Sequence, residues 1–221
     1  MKGRIVMEQK QNELLEEIIS LEWEWFTHVQ NQGGRAPCQD DKRTFDIMRK
    51  SQFQVWSQEA LYSYLEDIRQ ALKEGRNLMT EKYAYMMETT DPSQFQRIRL
   101  LLPEVSEEKK QLVLELTQMQ VRWMEEFQEK YPDYAGQGRP LREGTKGGGP
   151  GAVSLETYSK GELTTYSAKT LRILKEHLEE LEKKGKNPGI CIMDYTARQY
   201  GFQSAQDAQD YLKRQKELHS F

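Results

Sequence analysis

Between Leu21 and Trp56 the chain gathers residues able to do chemistry at unusual density: LEWEWFTHVQNQGGRAPCQDDKRTFDIMRKSQFQVW. Gly33 and Gly34 let backbone amides face outward, and Arg35 offers a planar fork for carboxylate or phosphate. A helix starting after Asp40 or Asp41 aims its positive end at the same place. With Gln39 alongside, that set suits an anionic small molecule. Asp40, Asp41 and, one helix earlier, Glu24 are the candidate general bases or metal-binding carboxylates. Cys38 precedes a helix start, where a thiolate is stabilised, but two neighbouring carboxylates oppose that. A macrodipole of roughly half a charge does not outweigh them. Cys38 is thus a candidate nucleophile whose commoner role is that of a buried wall. The plain structural alternative pairs Arg35 with Asp40 or Asp41 and leaves the glycines to turn the corner.

Gln52 follows Phe45 and Met48 on the inward stripe of the next helix, where an apolar residue is expected. A buried amide without a partner costs roughly 1–3 kcal/mol, so it needs one, and the loop is the nearest supply. Gln52, Arg35, Cys38 and Asp40 or Asp41 are therefore expected to converge, with Glu24 or Glu22 reaching in from the first helix. Further along, Tyr158, Glu162 and Tyr166 recur every four residues and share one helix face. Glu162 and the neighbouring Lys160 complete the candidate ligand-binding set of Gly33, Gly34, Arg35, Gln39 and Gln52.

Three weaker patterns carry less. Glu24 and His28, with Glu17, Cys38 and Asp40 or Asp41, allow a zinc or iron site to be drawn, yet the spacing matches no strong metal motif and none is expected. GTKGGGPG has the composition of a phosphate loop, but no Gly-Lys-Ser/Thr opens a helix after it. Arg172 and His177 form an Arg-x4-His pair like that of small helical ribonuclease toxins, but residues five apart on a helix do not face each other. No cofactor is named by any of these residues.

The elements that must hold such a site are helices. From about Glu8 to Gln30, Leu14, Ile18, Leu21, Trp25 and Val29 form one apolar stripe. A second helix is expected from Asp40 or Asp41 to Gly75, about thirty residues long, kinked near Ser51-Gln52 and antiparallel to the first. Arg76 to Glu88 is a third helical segment and SQFQRIRLLLP a short one. Ser106 opens a strong helix that Tyr131-Pro132 ends. Trp25, Trp56 and Trp123 lie on apolar stripes and belong to the core. Helical pattern resumes at Ser154, strengthens from Ser167 and ends with a capped helix at Ser204. With no alternating strand pattern and no repeat, the fold class is all-α: a long antiparallel helix pair packed in a helical bundle. Three parts are expected: an N-terminal bundle over 1–135, a flexible glycine-rich loop or linker over 136–153, and C-terminal helices over 154–221 packing on the bundle.

Composition narrows the function classes. Hydrophobic residues make up 37% and charged ones 30%, with a net charge of -3; mean hydropathy is -0.87. There is no long basic run to draw nucleic acid and no apolar stretch approaching the length of a membrane-spanning helix. Two cysteines make no disulfide framework, and the N-terminus has no signal-peptide core, so a cytoplasmic setting is expected.

LEWEWF followed by GGRAPCQDDKRTFDIMRKSQF, with GELTTYSAKTL and YGFQSAQDA in the second half, resembles a bacterial all-helical family described as a domain of unknown function. The resemblance covers nearly the whole chain and implies a helical fold but no reaction. It also implies a nucleotidyltransferase-like protein as partner, through fusion or neighbourhood. The chain departs from the pattern at Lys160, where Arg usually precedes Gly-Glu-Leu; Lys supplies charge without the bidentate fork. Two function classes follow. One is an anionic small-molecule site, with or without catalysis, roofed by the 33–41 loop and reached by groups from 156–167. The other is a helical interaction module.

Overall fold

Short polar side chains start the helices. Asp41, Ser57, Asn77, Asp91, Ser106, Ser154, Ser167 and Asn187 each accept a hydrogen bond from the backbone amide three residues on, satisfying a donor that the first turn leaves without an intrahelical partner. The computed structural model describes residues 2–30, 34–144 and 153–218, with side chains from Lys10 onward. Among the described residues there are eleven α-helices and no strand. They are α1 (Lys2–Thr27), α2 (Lys42–Phe53), α3 (Gln58–Lys73), α4 (Leu78–Thr90), α5 (Pro92–Ile98), α6 (Glu107–Lys130), α7 (Pro132–Ala135), α8 (Leu155–Thr165), α9 (Ala168–Lys183), α10 (Pro188–Gln199) and α11 (Ala205–Leu218). Two 3-10 turns, Pro37–Asp40 and Arg99–Leu101, precede α2 and follow α5.

The expected thirty-residue second helix is two helices. Ser57 caps α3 through its hydroxyl, so the chain must leave helical geometry at 54–57. The break turns Trp56 into the core, edge-on to Phe53 and Tyr166. The freed Val55 carbonyl is met by the His177 ring at 2.9 Å. The antiparallel relation of the first two helices holds: Phe26 stacks on Phe45, and Glu22, one turn back, meets Arg49, one turn on.

One core runs through the bundle, from Leu14, Ile18 and Trp25 of α1 through Leu61 and Ile68 of α3 and Leu116 of α6 to Leu171 and Leu174 of α9. Trp25, Trp56 and Trp123 are all buried in it. A smaller core of Phe127, Tyr131 and Ala205 holds the C-terminal helices to the end of α6. Gly161 lets α8 lie against α4; a Cβ there would stand 2.5 Å from Met86 Cγ and 2.9 Å from the Lys82 carbonyl. In the glycine-rich stretch, Pro140 and Leu141 accept from the first amides of α8, and Glu143 accepts from Ser154 and Thr157. Residues 145–152 of that stretch lie outside those described.

Candidate functional site

The 33–41 loop is built as a corner. Gly34 takes a φ of 86° in the left-handed region, while Gly33 is outside the described residues. Arg35 donates through Nε and Nη2 to Asp40 Oδ1 at 2.9 and 2.8 Å, and to the carbonyls of Thr27 and Gln39 at 2.8 and 3.0 Å. Asp40 raises the guanidinium further above its usual range. The fork expected for an external anion is thus closed on its own loop. Gln39 is buried, its Nε2 donating to the Phe26 and Val29 carbonyls and its Oε1 accepting from Ala36. Asp41 caps α2 by accepting from Thr44, and that hydrogen bond holds its carboxyl below the usual range. Cys38 is exposed rather than a buried wall.

The other expected residues divide. Glu24 is exposed, Lys160 pairs at the surface with Glu88, and Glu17 pairs with Arg69. The His28 ring lies 2.6 Å from the Glu24 carbonyl. Among the described residues no three His, Cys, Asp or Glu are grouped to hold a metal. Arg172 pairs with Glu108 while His177 bonds Val55, so that pair does not act together. Gln52 does have partners, but they are not in the loop. Its Oε1 accepts from Arg49 Nη1 at 2.7 Å and its Nε2 donates to Glu162 Oε1 at 2.7 Å. Met48, placed on the inward stripe by its spacing, is 48% exposed; Arg49 takes the inward place.

Gln52 and Glu162 belong to a polar cluster assembled from five helices. Arg49 of α2 donates to both oxygens of Glu22 on α1, at 2.7 and 2.5 Å, and to Glu162 Oε1 on α8 at 2.9 Å. Tyr64 of α3 donates to Glu22 at 2.7 Å and Tyr166, just after α8, to Glu162 at 2.8 Å. Lys82 of α4 completes the set with a 2.5 Å bond to Glu162 Oε2. Two cations and two carboxylates, each side chain at most 6% exposed, leave no net charge. Burying them singly would be prohibitive; they are tolerated because each is paired and hydrogen-bonded.

Their environments fix their protonation. Burial pushes Glu162 up, but Arg49 and Lys82 overcome it and hold the carboxyl well below the usual range. Burial pulls Arg49 down, but Glu162 and Glu22 more than restore it. Burial, then the facing carboxylates, push Tyr64 and Tyr166 well up, so both phenols stay protonated donors. Groups paired in this way hold one another, and the helices that carry them, in place.

The outer edge of the cluster is aromatic and cationic. Lys82 Nζ lies 3.7 Å and Arg139 Cζ 4.5 Å from the centre of the Tyr158 ring. Beside them the Tyr83 hydroxyl, pushed up to about 12 by burial, has Lys82, Tyr158, Cys38 and Arg139 as its electrostatic neighbours. From the 33–41 loop, Cys38 bears electrostatically on Tyr83 of α4, while Arg35 is engaged within its own corner.

Arg49, Lys82 and Tyr64 were not legible as site residues, and Glu22 only as an alternative to Glu24. The available signal was a charge at a core-facing position: Glu22 between Ile18 and Trp25, Lys82 between Met79 and Met86, Arg49 between Phe45 and Phe53. With Glu162, these make four such positions of balancing sign that point to one another.

No curated protein matches this chain, and no solved structure does. A family model does match, over residues 12–210, a stretch that contains every residue of the cluster and its rim. The chain belongs to the family described as "Protein of unknown function (DUF4125)".

Proposed function

We propose that this protein binds an anionic small molecule at the rim formed by Lys82, Tyr83, Tyr158, Arg139 and Cys38, with the buried cluster as its rigid floor. One observation carries the reading. Lys82 and Arg139 lie over one tyrosine ring, and only Lys82 has a carboxylate partner; Arg139 is exposed and makes no ion pair among the described residues. The rim therefore holds one cation more than its acids balance, and the planar fork of Arg139 suits a carboxylate or phosphate. Arg139, in place of Arg35, takes the anionic group. The reading assumes a cytoplasmic setting, which two exposed free cysteines support.

Thermal unfolding with inorganic phosphate, ATP and citrate as separate probes tests this. A probe present at about a hundred times its dissociation constant stabilises by about 2.7 kcal/mol, which raises the midpoint of a chain this size by roughly 5–10 °C. Arg139→Ala should leave the midpoint without probe unchanged and remove the rise. If none of the three moves the midpoint, or the variant keeps the rise, the reading fails.

A further inference from the structure

Residues 92–101 form an arm that contributes nothing to the core. Neither α5 nor the 3-10 turn Arg99–Leu101 contains a buried residue, and Leu100 and Leu101 are 86% and 83% exposed. The arm is nonetheless a formed element. Asp91 caps α5 by accepting from Gln94, Pro92 occupies its first turn, and Tyr85 of α4 donates to the Pro103 carbonyl at its base. Two adjacent leucines held outward on a preformed helical arm are an apolar surface with nothing beneath it to bury. Arg97 and Arg99 precede them and make no ion pair or hydrogen bond through their side chains among the described residues. No acid lies between Asp91 and Glu104. In a chain of net charge -3 this segment carries +2.

We infer that this arm docks into an apolar groove of a partner protein whose rim carries carboxylates. Leu100 and Leu101 enter the groove, and Arg97 and Arg99 pair with its rim. Charge decides the occupant. Two arginines without a carboxylate of their own call for acids on the partner, and two leucines give a membrane little to hold. A helical element laid in a groove needs only a few apolar anchors, with charge at the edges setting orientation.

The test is a photo-crosslinking amino acid at position 100 of the full chain in cells. Expected is one predominant adduct with a different protein, its crosslinked peptide pairing apolar residues with Asp or Glu. The yield should fall at least about tenfold in Arg97→Glu/Arg99→Glu. It should return when the partner's acids nearest the crosslink are changed to Lys. Circular dichroism should show the charge-reversed chain folded as the wild type, since neither arginine supports the core. An adduct with lipid, an adduct with a second copy of this chain, absence of any discrete adduct, or a yield indifferent to charge reversal each overturns the inference.

Discussion

Arg49 and Glu22, 27 residues apart in sequence, meet as a bidentate ion pair in which Nε and Nη2 donate to the two carboxylate oxygens at 2.7 and 2.5 Å. The glutamate side chain is fully buried and the arginine 5% exposed. The planar fork leaves Nη1 free to serve Gln52 and Glu162 as well, so one guanidinium ties α1, α2 and α8 together. Lysine in its place could make no such fork.

Removing one partner of such a pair is the strongest single perturbation available here. Glu22→Ala strips Tyr64 of its acceptor and Arg49 of one of its two carboxylates, and should lower unfolding stability by about 3–5 kcal/mol, read from urea midpoints. Glu22→Gln keeps one acceptor oxygen and should cost less. A loss under about 1 kcal/mol for the alanine variant would mean that Arg49 rests on Glu162 alone.

Two glycines separate a packing role from a backbone role. Gly161→Ala drives a methyl into Met86 and the Lys82 carbonyl, and overpacking of this kind costs roughly 1–3 kcal/mol. It should also part α4 from α8 and loosen the Lys82–Glu162 bond. Gly34→Ala meets no atom within 4 Å but keeps an unfavourable φ of +86°, for about 1 kcal/mol. Denaturant midpoints should rank Gly161→Ala as the more damaging; equal losses would contradict the close approach of α8 to α4.

The helical class was legible because apolar spacing and polar caps agree along the chain: Ser106, Ser154 and Ser167 all start helices where their sequence suggests. The break at Ser57 was hidden because the apolar stripe continues across it, and only the serine cap marks it. The site was legible in part. Gln52 announced itself as an amide on an apolar stripe, and Glu162 as a carboxylate between Tyr158 and Tyr166. Its true partners are 110 residues away in the case of Glu162, and no local pattern predicts such a pairing. The concentration of chemistry in the 33–41 loop pointed the other way. Arg35, Gln39 and Asp41 each satisfy backbone groups at the corner, a task that sequence alone does not distinguish from ligand binding.

Gln39 gives the clearest measure of that corner. Its side chain makes three hydrogen bonds to backbone groups of Phe26, Val29 and Ala36, at 2.8, 3.0 and 2.9 Å, while 1% exposed. Gln39→Leu leaves those groups without this partner and should cost about 1–3 kcal/mol. Hydrogen exchange should show the Ala36 amide losing protection. If stability is unchanged while anion binding is lost, Gln39 serves the ligand instead.

Acid should unpick the cluster through Glu162. With Arg49 and Lys82 holding its folded carboxyl well below the ordinary 4.5, the unfolded chain takes up that proton first as pH falls. The contribution is therefore complete at neutral pH and is lost progressively from about pH 5 downward, towards the folded value. Glu162→Gln has no such proton to take up. Its stability should lie below the wild type at pH 7 and converge on it in acid, by up to about 1.4 kcal/mol for each pH unit below about 4. Asp41, Asp91 and Glu143 are also held low by hydrogen bonds, but they are common to both proteins and cancel in the difference. Urea unfolding of both proteins at intervals from pH 7 to pH 3 measures it. Curves that stay parallel across that range would show that Glu162 titrates normally and that the two buried cations do not act on it as their distances require.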